Sequence, residues 1–295
     1  MAPTVILAAL AAVIVWGASP VASKIAVAGI SALAVAALRT VIGGGLAVPV
    51  ALLLRIPLPA TARLRGILLL SGFCGFIGFP VIFTFGVAHT SANHASMILA
   101  ALPIFTGAIA KIWDRQAPKP IWLVGSLIAL VGEVVLITGR TAAGGGASGL
   151  SGDALVLLSN LFASLGYVAG GRLQQAGYPS TGTTFWGAAA AAILLLPVLA
   201  LLFAFGGLGA ELALAPPAAW LGIGYLAVFV TIVGYVLWYW ALGQGGIARV
   251  GVLQFLQPVS GVALAALLLG ESVNLSFLVA SGLVLFGVWL ALKGK

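Results

Sequence analysis

Four sets of polar and aromatic residues recur at helical spacing inside otherwise apolar stretches of the chain. They are Trp16, Ser19 and Ser23; Asn160, Ser164 and Tyr167; Thr231, Tyr235 and Trp238; and Gln254, Gln257 and Gly261. Spacings of three, four and seven place each set on one face of a helix. Hydroxyls and amides buried among apolar neighbours need partners. They find them either in adjacent helices, where each bond is worth about 0.6–2 kcal/mol, or in a hydrated cavity. For any single residue both readings stay open. The aromatic members add flat faces on which an aromatic or cationic small molecule could stack, although Trp238, Tyr239 and Trp240 as a run read mainly as an interfacial belt.

Titratable residues within the apolar stretches are few: Lys24, Arg39, His94 and Glu133. An unpaired charge inside a bilayer costs at least about 3 kcal/mol, so such groups face a cavity or each other. For Glu133 the simpler reading is a neutral or paired carboxyl that locks two helices, because Val288 stands at the equivalent place in the second half. The alternative is a proton site coupled to transport. His94, at the end of a stretch, is expected to be a solvated histidine. Glu271 is expected at a helix end. Pro103 and Pro258 occupy matching mid-stretch positions. Each removes a backbone donor and frees a carbonyl, so each is either a packing kink or a gating bend.

Enzyme chemistry lacks its parts. Gly146-Ala147-Ser148-Gly149 spells a GxSG, but a serine nucleophile needs a positioned base, and His89 and His94 lie elsewhere. There is no HExxH, no P-loop and no paired intramembrane aspartate, so metal hydrolysis and ATP-driven pumping are not expected. The single Cys74 excludes a disulfide framework. Neither a metal nor another cofactor is called for. A channel would show a charged ring or a carbonyl filter, and neither motif is present.

The elements that position these residues follow from hydropathy. Of 295 residues 62% are hydrophobic and only 6% charged, against roughly 25% charged in a soluble domain. Apolar runs bounded by Gly, Pro and charge predict membrane helices near 4–22, 33–54, 66–87, 93–112, 120–139, 153–171, 184–205, 218–242, 249–270 and 275–292. Basic residues orient them. With the N-terminus inside, the inner loops carry Arg55, Arg63, Arg65, Lys111, Arg115, Lys119, Arg172, Arg249, Lys293 and Lys295, and the outer loops only Lys24 and Arg140. That is a strong positive-inside bias, and it accounts for the net charge of +8 without a nucleic-acid partner. Lys24, Arg39, His94 and Glu133 then fall in the outer half of the membrane or at its edge.

The chain also rhymes with itself. The segment from Ala92-Asn93-His94 to Leu102-Pro103-Ile104 lies 155 residues before that from Ile247-Ala248-Arg249 to Gln257-Pro258-Val259, and the same offset sets Gly132 on Gly287. The expected fold is therefore all-α integral membrane, with ten transmembrane helices as two five-helix repeats, residues 1–140 and 153–295. A Gly-rich outer linker, 141–152, joins them. Five spans per half force the halves into opposite orientations, with both termini inside. Inverted repeats are a recurring plan of secondary transporters, which bind substrate near the midplane where the repeats meet.

Trp16-Gly17 with Lys24, Arg39 in the second span, Leu102-Pro103, and above all Ala248-Arg249-Val250-Gly251 through Phe255-Leu256-Gln257-Pro258 to Leu269-Gly270-Glu271 resemble the drug/metabolite transporter superfamily. The likeness is to its ten-helix, EamA-like exporters and covers essentially the whole chain. The first half departs from the pattern where Asp114-Arg115 replaces the usual Gly-Glu. The resemblance implies export of amino acids, in the manner of the bacterial aromatic amino acid exporters, or of related metabolites, across the bacterial inner membrane without ATP. It places the cavity among the third, fourth, eighth and ninth helices with help from the first and sixth, where the four polar stripes fall. A sugar-phosphate, nucleotide-sugar or multidrug cation carrier of the same superfamily is the alternative. Expected partners are membrane lipid and a small-molecule substrate. Proton coupling stays open, as does the choice between monomer and homodimer.

Overall fold

The structure is a computed structural model that describes residues 2–115, 117, 119–142, 147–245, 250, 253–254, 256–273 and 275–293, with 133, 136–142, 147–148, 276, 288 and 292 described by backbone alone. Among the described residues every regular element is helical. We number the long helices α1 (Pro3–Val27), α2 (Ala32–Leu53), α3 (Ala62–His89), α4 (Ala92–Asp114), α5 (Pro120–Ala142), α6 (Ala147–Gln175), α7 (Ser180–Phe205), α8 (Pro217–Gly245), α9 (Leu256–Leu269) and α10 (Leu275–Lys293). A short helix, Leu208–Leu214, precedes α8. Seven of the long helices, all but α5, α9 and α10, are long and apolar enough over their described residues to cross a membrane. Compared with the sequence expectation, α5 runs on to Ala142 and α6 begins at Ala147, so helix enters the Gly-rich stretch from both sides. Arg249, Gly251, Phe255 and Lys295 lie outside the described residues, as does the middle of that linker.

Polarity is distributed as in lipid-facing proteins. Leu53, Phe205, Leu214 and Leu267 are each at least 80% exposed, and long rows of leucine and phenylalanine cover the outside of α5, α7 and α10. Trp113, Trp220, Trp240 and Trp289 are the most exposed indoles; each lies near a helix end, where an amphipathic ring suits the membrane–water boundary. Lys293 Nζ rests 3.9 Å from the Trp289 ring centre at the end of α10. On the opposite face of each helix small residues allow close packing. The closest approach to a neighbouring backbone is that of α5 on α10. A Cβ on Gly125 would meet the Ala291 nitrogen at 2.2 Å, and one on Gly287 would meet the Ala129 nitrogen at 2.3 Å.

Helix neighbours keep the same pattern when α1–α5 are exchanged with α6–α10. The pairs α2–α7, α4–α9 and α5–α10 map onto themselves, while α1 against α8 and α9 maps onto α6 against α3 and α4. Irregular turns obey the 155-residue offset as well. A π turn interrupts α3 at Cys74–Gly78 and α8 at Leu226–Gly234. A 3-10 turn interrupts α4 at Leu99–Ala101, and Leu253 and Gln254 form one just before α9. Both α4 and α9 end in a left-handed residue, Arg115 (φ 53°) and Gly270 (φ 65°). α1 is also broken, at Ala18, with Pro20 opening its second part.

Candidate functional site

The helix interruptions converge. Trp16 and Ser19 flank the break in α1, Phe79 follows the π turn of α3, and Leu99 and Leu102 bracket the 3-10 turn of α4. Val230 and Tyr235 belong to the π turn of α8 and its exit, and Gln257 lies in the first turn of α9. Together with Tyr167 of α6, these residues enclose a cavity of about 10 Å³, room for about one water. Interrupted helices leave carbonyls without their usual donors, and in lipid these must be answered from within the protein. Here the aromatic residues answer them. Trp16 Nε1 donates to Val230 O at 3.0 Å and the Tyr235 hydroxyl to Gly75 O at 3.1 Å, while Thr40 Oγ1 donates to Phe76 O at 2.8 Å. Trp16 stacks on Tyr167 with ring centres 5.7 Å apart and meets Tyr235 edge-on at 5.1 Å. Offset-stacked and edge-to-face pairs of this kind are the favoured aromatic geometries.

The ten expected cavity residues divide into three groups. Trp16, Ser19, Tyr167, Tyr235 and Gln257 line the cavity. Asn160, Trp238 and Gln254 are buried nearby with one polar atom each (Oδ1, Nε1 and Nε2) lacking a partner among the described residues; so is Ser19 Oγ. The other two act as bonds between or within helices. Ser164 Oγ donates to Leu102 O and accepts from Thr106 Oγ1, and Thr231 Oγ1 donates to Leu226 O in its own helix. The belt expected of the Trp238-Tyr239-Trp240 run is corrected: Trp238 and Tyr239 are 2% and 0% exposed, and only Trp240 faces outward. Trp238 packs on Trp16 of α1 and Tyr167 of α6, while Tyr239 lies against Gly170 of α6 and shares the Gly166 carbonyl with Ser71.

Pro103 and Pro258 both fall in a first helical turn, immediately after a 3-10 step. At that position a missing N–H costs nothing. Among the described residues none of the charged candidates lines the cavity itself. Lys24 Nζ donates to the Val87, Ala88 and Thr90 carbonyls at 3.0, 3.5 and 2.6 Å, closing the end of α3. His94 is not the solvated histidine expected: its Nδ1 lies 3.0 Å from a carboxylate oxygen of Asp153, which is fully buried and also accepts from Thr90 Oγ1. Glu271 follows α9 and accepts from the backbone N–H groups of Ala92 and Asn93 at 2.8 Å each, thereby capping α4 from the other half of the molecule. Glu133 lies on α5, and its side chain is outside the described set. Arg39, on α2, is 1% exposed, and its Nε and Nη1 have no partner among the described residues. At the opposite end of the bundle Arg172 pairs with Asp114, and the buried Tyr178 phenol, donating to Pro57 O, is pushed up to about 12.

Sequence reasoning missed Asp153, Leu99 and Val230; Phe79 is one of four phenylalanines on the third span, with Phe76, Phe83 and Phe85, of which one or two rings are expected to face a cavity. An acidic residue opening an apolar run is a signal that could have found Asp153. Val230 carried none, since its position depends on a π turn.

Comparison with known proteins bears on this arrangement. The profile of the EamA-like transporter family matches residues 3–138 and again residues 150–293. An uncharacterized transporter of Bacillus subtilis is 31% identical over 262 residues, 89% of this chain and 88% of its own. A probable amino-acid metabolite efflux pump of Salmonella typhimurium is 28% identical over 289 residues, 97% and 94%. A probable terminal-alkyne amino-acid exporter of Streptantibioticus cattleyicolor is 26% identical over 230 residues, 78% and 73%. A solved crystal structure superposes with a TM-score of 0.64 over 99% of this chain and 97% of the other at 18% identity, a likeness of fold alone. With both halves matched by the profile and apolar helices of spanning length around a shared cavity, the chain is a multi-pass membrane protein that belongs to the EamA-like transporter family of the drug/metabolite transporter superfamily.

Proposed function

We propose that this transporter is a secondary carrier that exports amino acids, aromatic ones among them, or related small metabolites across the bacterial inner membrane by alternating access. The observation that carries the proposal is the aromatic cavity where the two halves meet, walled by helix interruptions that recur at a 155-residue offset. All ten long helices are spans in this account, five per half. The odd number inverts one half relative to the other, and the basic loops keep both termini in the cytoplasm. The exchange-symmetric helix packing and the doubled family match support the repeat. Two relatives whose names specify amino-acid export support the substrate class.

A cavity of about 10 Å³ is far below the roughly 300–1,000 Å³ of ligand pockets, so the site must expand to hold an amino acid. Matched interruptions in α3, α4, α8 and α9 provide bends at which the hairpins can move. Counterflow in proteoliposomes tests the function. Vesicles loaded with unlabelled phenylalanine should accumulate the labelled amino acid transiently and saturably, and other amino acids should compete. Absence of counterflow for every amino acid, together with competition by a sugar phosphate, would overturn the substrate class.

A further inference from the structure

Arg39 is the one wholly buried cation described in this chain whose Nε and Nη1 both lack a partner among the described residues. A guanidinium stays protonated in proteins, and burying it without an anion is strongly unfavourable. The chain has five carboxylates, and four of them are engaged elsewhere: Asp114 with Arg172, Asp153 with His94 and Thr90, Glu211 with Ser31, and Glu271 with the α4 N-terminus. The fifth, Glu133, is on α5, a helix packed mainly on α10 and touching α4 and α6 rather than α2. Among the described residues no protein anion is therefore placed to balance Arg39.

Its surroundings point toward the cavity. Arg39 is within electrostatic reach of Tyr235, which lines the cavity and whose ring centre lies 4.6 Å from that of Phe76. Thr40, the next residue, is bonded to the Phe76 carbonyl in the π turn of α3. One turn along α2, a Cβ on Gly43 would stand 3.0 Å from both the Ala227 oxygen and the Thr231 methyl in the π turn of α8. Arg39 thus sits where α2 meets both π turns, behind the Tyr235 that walls the cavity. An exposure of 1% separates it from the lipid around the bundle. A guanidinium fork suits the two oxygens of a carboxylate or a phosphate.

We propose that Arg39 is the anion-recognising group of the central site, reached when the cavity expands past Tyr235, and that the substrate binds through a carboxylate, with phosphate as the chemical alternative. This deepens the carrier reading and rests on the same cavity. The test uses the purified full-length protein in nanodiscs and intrinsic tryptophan fluorescence, with L-phenylalanine, L-phenylalaninamide, benzoate and phenyl phosphate as probes. Wild type is expected to bind the acid at least tenfold more tightly than the amide and to bind benzoate. Arg39→Gln is expected to lose that tenfold preference, and Arg39→Lys to retain part of it. Equal binding of acid and amide by wild type, or no binding of any anionic probe, overturns the proposal without reference to any variant. Preference for phenyl phosphate over benzoate supports the site but assigns the phosphate class. If the anion preference appears in phosphatidylcholine discs and vanishes in phosphatidylglycerol discs, Arg39 serves lipid headgroups and the proposal fails. The carrier reading fails separately. Amino acids that exchange in counterflow with acid and amide treated alike overturn the role of Arg39 alone. Anion binding lost in Arg39→Gln, without counterflow of any amino acid, overturns the amino-acid substrate alone.

Discussion

At the scale of single residues, polar groups in this chain perform three different duties, and spacing does not distinguish them. Ser19, Ser164 and Thr231 each belong to a periodic stripe, yet Ser19 lines the cavity while Ser164 is spent on a carbonyl of α4 and Thr231 on one in its own helix. The difference lies in which carbonyls the local helix geometry frees, which no periodicity reveals. The ion pairs contrast in a similar way. Asp153 is fully buried against His94 and Thr90, whereas Asp114 and Arg172 are 36% and 24% exposed. Loss of a buried partner costs about 1–3 kcal/mol, while an exposed pair contributes about 0–1 kcal/mol. Asp153→Asn should therefore lower the melting temperature of the purified protein clearly, and Asp114→Asn hardly at all. Equal shifts for the two would contradict the assignment of Asp153 as a structural tie between α4 and α6.

Element by element, the matched helix starts are legible because they are written in residue types, Leu102-Pro103 and Gln257-Pro258. The bounds of the described helices follow hydropathy to within a few residues, apart from the helical flanks of the Gly-rich stretch. The π turns were not legible. They depend on tertiary donors such as Trp16 and Tyr235 that arrive from other helices. Arg115 shows the repeat and the sequence in conflict. Its equivalent is Gly270, and both adopt the left-handed backbone that ends α4 and α9. A side chain in that conformation costs about 1–2 kcal/mol, a cost that glycine largely avoids. Arg115→Gly should stabilise the protein by about 1 kcal/mol, read as a raised melting temperature with transport unchanged. A lowered melting temperature would show that the Arg115 side chain makes a compensating contact.

For the molecule as a whole, an apolar exterior, two halves that each match the family profile and a small cavity between them fit the proposed carrier in a closed state. On one side of the cavity the two halves are tied together by Glu271, which accepts from the backbone of Ala92 and Asn93. In the proposed orientation that side is the outer one. Release outward requires those ends of α4 and α9 to part, whereas a pore would conduct without such a step. The decisive measurement is counterflow by a Cys74→Ser protein carrying Ala92→Cys and Glu271→Cys, before and after treatment with a short reducible thiol cross-linker. The account predicts that cross-linking cuts exchange of labelled phenylalanine at least tenfold and that reduction restores it. Exchange that continues at the uncross-linked rate while the two ends are covalently joined would contradict alternating access.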